Sequence, residues 1–173
     1  FFINYDLNKK NDLLKLEKIL IKKNLIINSF LHFDGHLDFK TIHNINDEDF
    51  INAYNVNVYS FIKLLKLFSK KNFFATKSSV VNISSVSSLN GSKGMSLYSS
   101  SKAAINNLIK SYSLELAHKN IRINNIILGH IDIGMGKKTT NFLPPQYVLE
   151  LKRKHPLGFG NFKDLFYSIE FLI

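Results

Sequence analysis

Short runs of adjacent apolar residues alternate along this chain with longer stretches in which apolar residues recur every three or four positions. The short runs have the length of buried strands, and the longer stretches have the period of amphipathic helices. Residues 1–5 predict a strand with Asp6 at its carboxyl end. Residues 8–23 predict a helix carrying Leu13, Leu14, Leu16, Ile19, Leu20 and Ile21. Leu25, Ile26 and Ile27 predict a second strand, ending at Asn28 and Ser29, and a polar, aromatic loop follows through Phe30, His32 and Gly35. Asp47, Glu48 and Asp49 suit the positive end of a helix dipole. They open a helix to about Lys71, with Ile51, Tyr54, Val58, Phe61, Leu64, Leu65 and Phe68 on its apolar side. Residues 80–83 predict a third strand, and residues 98–118 a helix burying Ile105, Leu108, Ile109, Tyr112 and Leu116. Residues 121–128 predict a fourth strand, broken by Gly129. After a loop, Pro144 and Pro145 open a lysine-rich helical stretch to about Lys154, and a last amphipathic segment starts near Asn161.

Strands made of continuous apolar runs and separated by helices belong to a parallel sheet covered on both faces. The expected fold class is therefore α/β, a doubly wound parallel sheet in a single domain over residues 1–173. No repeat, low-complexity tract or linker divides the chain. The serine-rich stretch 84–101 is interrupted by Val86, Leu89, Met95 and Leu97 and reads as an active-site loop. Right-handed crossovers place all strand carboxyl ends on one edge. Asp6, Asn28, Ser85 and Gly129 then converge on the edge where open α/β sheets bind ligands.

Composition narrows the function classes. At 173 residues the chain can bury on the order of two-thirds of its unfolded surface. No apolar run approaches the ~20 residues that span a bilayer, and the first residues lack the basic lead of a signal peptide. The absence of cysteine removes disulfides, thiolate catalysis and cysteine metal ligands, and it agrees with a cytoplasmic location. No histidine pair has helical metal-ligand spacing, so no metal site is expected. The net charge is +10, but the lysines are scattered among asparagines on solvated faces, which opposes a nucleic-acid interface. Such a charge still suits an anionic small molecule or an acidic carrier protein.

The chemistry concentrates where the third strand ends. Ser85 closes that strand, and Tyr98 and Lys102 follow four apart on one helical face. The pair alone is weak: with seven tyrosines in this lysine-rich chain, roughly one Tyr-x-x-x-Lys arises by chance. Tyr5/Lys9 and Tyr59/Lys63 have the same spacing. Only Tyr98/Lys102 is preceded by an apolar strand ending in serines and by a loop with Gly91 and Gly94, and followed by a long amphipathic helix.

Asn82-Ile83-Ser84-Ser85, Tyr98-Ser99-Ser100-Ser101-Lys102-Ala103-Ala104, Ile121-Arg122-Ile123-Asn124 and Gly129-His130-Ile131-Asp132 occur in that order. Asp47-Glu48-Asp49-Phe50 and Asn55-Val56-Asn57-Val58 precede them, and Pro156-Leu157-Gly158-Phe159-Gly160 follows. This set resembles the short-chain dehydrogenase/reductase family, in the single-domain branch of the 3-oxoacyl-carrier-protein reductases. The resemblance implies a Rossmann-like domain that transfers hydride between NADH or NADPH and a carbonyl/alcohol pair. It implies Tyr98 as general acid or base, with Lys102 supplying a cation that lowers the tyrosine pKa and binding the nicotinamide ribose. Ser85 would hold the substrate oxygen, and Asn57 a water linking Lys102 to solvent. Asp6, with Leu7, would lie at the adenine, Asn28 beside the cofactor, and Ile131 at the carboxamide through its backbone. The partner implied is a small-molecule or carrier-linked carbonyl, and the family often assembles as homo-oligomers.

The departures from the family are specific. No glycine precedes Gly35, whereas the family opens with a strand and a glycine-rich turn around the pyrophosphate. The chain is thus expected to be part of a longer protein, lacking the first strand-helix-strand unit and the last strand, and to bind cofactor poorly alone. The unit that separates NAD from NADP is among those missing. Ile27-Asn28-Ser29-Phe30 stands where the family has Asn-Asn-Ala-Gly, so Phe30 replaces a glycine beside the cofactor. Leu128 replaces a proline and Ile133 a threonine. Gly129 to Lys137 is no Walker loop, because Ile131 and Lys138 occupy required Gly and Ser/Thr positions. A non-catalytic cofactor-sensing or scaffold protein on this fold, and a nucleotide-sugar epimerase or dehydratase, are the competing readings.

Overall fold

The computed structural model describes residues 3–7 and 9–173. Helix α1 (Lys10–Lys22) ends in a left-handed residue, Asn24, at φ +49°. Leu25 N–H donates back to Leu20 O and Asn24 N–H to Ile21 O, the paired closure that satisfies the last carbonyls of a helix. Leu25 is therefore spent on ending α1. Strand β1 starts two residues later and runs over Ile27–His32. The strand expected at residues 25–27 is displaced accordingly.

Beyond β1, Asn46 and Asp49 form a reciprocal capping box that starts α2 (Asp47–Tyr54). A π-helical turn, Asn55–Tyr59, joins it to α3 (Ser60–Lys70). The single helix expected here is thus one helical rod with one widened turn. Strand β2 (Phe74–Ser85) is longer than the expected 80–83. It carries a bulge against β1, where the register moves from Ile27↔Phe74 to Ser29↔Ser79. Ser78 Oγ fills that bulge by donating to the carbonyls of Ile27 and Ala75. Helix α4 (Ser96–Leu116) and strand β3 (Ile121–Leu128) match the periodicity. Residues 134–142, expected as loop, form α5 (Gly134–Phe142). Helices α6 (Pro145–Arg153) and α7 (Phe162–Leu172) follow, the latter capped by Asn161 and Asp164.

The three described strands are parallel in the order β1-β2-β3. Of the strand expected at residues 1–5, Phe1 and Phe2 lie outside the described residues. Among the described residues, residues 3–6 pair with no strand. One face of the sheet packs Phe30, Val80 and Ile123 against Leu65 and Phe61 of α3 and Ile105 and Ile109 of α4. The opposite face packs Val81 against Leu165 and Ile169 of α7. Each fully buried aromatic or aliphatic side chain contributes about 1.5–3 kcal/mol, and the parallel pairing puts the carboxyl ends of the described strands on one edge.

Candidate active site

Lys102 lies on the inner face of α4 and is only 3% exposed. Its Nζ donates to Ile83 O at 3.0 Å and to Asp34 O at 3.1 Å. Burial lowers its pKa to about 8, partly opposed by the Asp34 carboxylate. A side chain on Gly35 would put its Cβ 3.7 Å from this ammonium and 3.3 Å from Met135 Cε. Gly35 is therefore the glycine at which backbone approaches the site. Phe30 does not replace it: Phe30 is a core residue of β1, stacked on Phe61 with ring centroids 5.9 Å apart. The expectation moved the glycine position because it placed β1 too early.

Ser85 is the last residue of β2, and its Oγ accepts the N–H of Ser87 at 3.2 Å, capping the short turn Val86–Ser88. Tyr98 sits in the first turn of α4, half-buried. Burial raises its pKa, and an interaction with the Ser85 side chain partly opposes the rise. The net direction in the free site is therefore upward, with burial outweighing the lowering expected from a nearby cation. The ammonium stands 6.0 Å from the centre of the Tyr98 ring and is anchored to two carbonyls.

Asn57 lies inside the π-helical turn and is fully buried. Its Oδ1 accepts the N–H of His36 at 2.6 Å, and its Nδ2 donates to His36 O and to Ser101 Oγ at 3.0 and 2.8 Å. The amide thus clamps the Gly35–His36 backbone to α4. Widened turns of this kind recur at functional sites, where they redirect one side chain without ending the helix.

On the third strand, the turn after Gly129 is clasped from outside. His155 Nε2 accepts the N–H of His130 at 3.0 Å while His155 Nδ1 donates to Leu151 O. Ile131 forms a parallel bridge with Gly160, so its backbone is fixed at the sheet edge. Burial lowers the His130 pKa, helped by neighbouring His155.

The edge brings Ser85, Tyr98, Lys102, Asn57 and the Ile131 turn together. It does not bring in Asn28, which is the second residue of β1, exposed, and well before the strand's carboxyl end. Asp6 and Leu7 precede α1, and Leu7 O accepts from Lys63 of α3. Asp34, Gly35 and Met135 were not anticipated at the site. Gly35 had a signal, being the first glycine in the chain; Asp34 and Met135 had none, since each arrives through a loop path.

These features define an α/β domain with a serine, a tyrosine and a lysine at the carboxyl edge of a parallel sheet. The family model for short chain dehydrogenase matches residues 1–143, and the chain belongs to the short-chain dehydrogenase/reductase family. Carbonyl reductase (NADPH) 2 of Sus scrofa is 31% identical over 73% of this chain and 52% of its own length. A 3-oxoacyl-(acyl-carrier-protein) reductase of Bos taurus is 28% identical over 95% of this chain and 65% of its own. Among solved structures, a 7α-hydroxysteroid dehydrogenase complexed with NADH and 7-oxo glycochenodeoxycholic acid superposes with a TM-score of 0.86 at 26% identity. That match covers 99% of this chain and 66% of the other. The chain thus spans between about half and two-thirds of the length of these relatives.

Proposed function

We propose that the protein carrying this chain is an NAD(P)-dependent oxidoreductase that reduces a carbonyl, or oxidises the matching alcohol, at the Ser85–Tyr98–Lys102 edge. The observation that carries this reading is the convergence of those three side chains with a glycine gap at Gly35, opposite the fixed Ile131 turn. The gap and the turn fit a flat nicotinamide ring with its ribose against Lys102. Ile131 offers backbone groups there, and Asp6 with Leu7 is assigned to the adenine end. When bound, NADH or NADPH supplies the hydride, which no side chain can do.

The residues then divide the remaining work. Ser85 Oγ donates to the substrate oxygen and holds it beside the phenol. Tyr98, with its pKa raised by burial, stays protonated at neutral pH and gives its proton to that oxygen as reduction proceeds. Lys102 is mostly ammonium at neutral pH, given a pKa of about 8, and it stabilises the phenolate as it forms. Asn57 keeps the Gly35 backbone at the distance this arrangement needs. The substrate class is a small ketone or a carrier-linked oxoacyl group, and the +10 charge of the chain favours an acidic carrier.

The test is cofactor oxidation by the complete protein. NADH and NADPH are each offered with a panel of carbonyls, including an oxoacyl group on a carrier protein, and Tyr98→Phe is run beside wild type. Substrate-dependent oxidation lost in the variant supports the reading. No oxidation with any substrate, or an equally active variant, rejects it.

A further inference from the structure

Two positions beyond the apolar core, the α4-facing side of the sheet turns polar. His32, Asn82 and Asn125 are register partners on β1, β2 and β3, so they form one row across all three strands. The same face one step back holds Phe30, Val80 and Ile123. His32 is 2% exposed and Asn82 is fully buried.

The row is bonded in series from end to end. His32 Nε2 lies 2.9 Å from Ser60 Oγ, which also lies 2.6 Å from Val56 O in the π-helical turn. His32 Nδ1 lies 2.8 Å from Asn82 Oδ1. Asn82 Nδ2 donates to Asn125 Oδ1 at 2.8 Å, and Asn125 Nδ2 donates to Asn106 Oδ1 at 2.6 Å. Asn106 Nδ2 donates to Ser88 Oγ at 2.7 Å, and Ser88 Oγ donates to Ser85 O at 2.6 Å. The series ends on the main chain of the serine assigned to the substrate oxygen.

Burying His32, Asn82 and Ser60 is unfavourable unless each finds a partner. Here every link is satisfied, yet an apolar row would hold the sheet at least as firmly. What the amides add is direction, because each bond fixes the rotation of the next side chain. Asn106 is the branch point. It lies one turn beyond Lys102, as Lys102 lies one turn beyond Tyr98, and it ties that face of α4 both to β3 and to the Ser85–Ser88 turn. The spacing between Ser85 and Tyr98 therefore depends on bonds made two turns away from the phenol.

We propose that the row His32–Asn82–Asn125–Asn106 positions Ser85 against Tyr98 by way of Ser88. This role rests on the hydride-transfer reading above, with Asn106 and Ser88 as positioning residues acting through Ser85.

The experiment uses the complete protein as Asn106→Ala, Ser88→Ala, Ser85→Ala and each of the first two combined with Ser85→Ala. Steady-state oxidation of NADH or NADPH is followed with an accepted carbonyl, and hydrogen exchange is read at the Ser87 amide, whose acceptor is Ser85 Oγ. Asn106→Ala and Ser88→Ala should each lower kcat by about tenfold or more, as small misplacements in a site do, with the KM for cofactor held within about twofold. In the Ser85→Ala background neither should lower kcat further, because residues acting through one group are not additive. Losses that multiply in the double variants, or an unchanged kcat in both single variants, overturn the proposal. If wild type oxidises neither cofactor with any carbonyl, the hydride-transfer reading fails, and exchange then decides the positioning claim alone. Faster Ser87 exchange in both single variants supports the row as the device that holds this turn; unchanged exchange overturns it.

Discussion

The Lys102 ammonium donates to the carbonyl of Ile83, 3.0 Å away at the end of β2, while its distance to the Tyr98 ring centre is 6.0 Å. A buried cation held by main-chain dipoles and desolvated on α4 is a stability cost, which the proposed function accounts for. Moving its pKa from 10.5 to about 8 corresponds to about 3 kcal/mol of penalty on the charged form. The lysine is charged in both states below pH 8, so the penalty is then fully present. Between about 8 and 10.5 the folded state has released the proton that the unfolded chain still binds, so this group's contribution to stability rises with pH. Lys102→Met should therefore match or exceed wild-type stability at pH 7 in urea unfolding, and its stability should lack the rise above pH 8. The same variant should show no cofactor oxidation under the proposed function.

Tyr98 makes a different demand. Its ring stays in place when only the hydroxyl is removed, so Tyr98→Phe should unfold at the wild-type denaturant midpoint. The loss of its proton should lower kcat by about 10²- to 10⁴-fold. A kcat within threefold of wild type would remove Tyr98 from the proton-transfer role.

Asn57 is fully buried and bonds twice to the His36 backbone and once to Ser101. Asn57→Ala leaves those groups unmatched in a closed space, at a cost of about 1–3 kcal/mol. The expected result is a lower urea midpoint with an unchanged slope, and faster hydrogen exchange at the His36 amide. Retained His36 protection would show that the π-helical turn holds the loop without the amide.

Two glycines give a matched pair of outcomes. A Cβ on Gly136 would fall on the carbonyl oxygen of Ile131, a backbone atom that cannot step aside, whereas a Cβ on Gly91 would meet nothing within 4 Å. Gly136→Ala should lower the thermal midpoint and raise the cofactor KM several-fold by displacing the Ile131 turn. Gly91→Ala should stay within about 0.5 kcal/mol of wild type, with KM unchanged. Equal behaviour of the two variants in thermal melts and kinetics would contradict the placement of that turn.

The helices α1, α4 and α7 and the strand β3 were legible because their hydrophobic period is a local property of consecutive residues. Helix α5 was not. Gly134, Gly136 and a run of lysines and threonines carry little apolar period, and the helix forms because Ile133 ends extended and Gly136 N–H and Lys137 N–H find Ile133 O. The polar row was equally hidden: His32, Asn82, Asn106 and Asn125 lie on four elements, and only strand register aligns them.

By itself the sequence determined the alternation of strands and helices and the approach of Ser85, Tyr98 and Lys102 to one sheet edge. Each follows from local period and from crossover handedness. Only the tertiary structure decided the frame of β1. Residues 25–31, apolar at Leu25, Ile26, Ile27, Phe30 and Leu31, admit either start, and the choice lay with the closure of α1 on Leu25 and the ladder to β2. That choice puts Gly35, not Phe30, beside Lys102. It also separated two pairs of equal spacing. The Lys63 ammonium stands 4.3 Å over the ring of Tyr59, closer than Lys102 to Tyr98, but Tyr59 is exposed on the helix surface. Burial, which depends on residues far apart in the chain, is what sets Tyr98 and Lys102 apart.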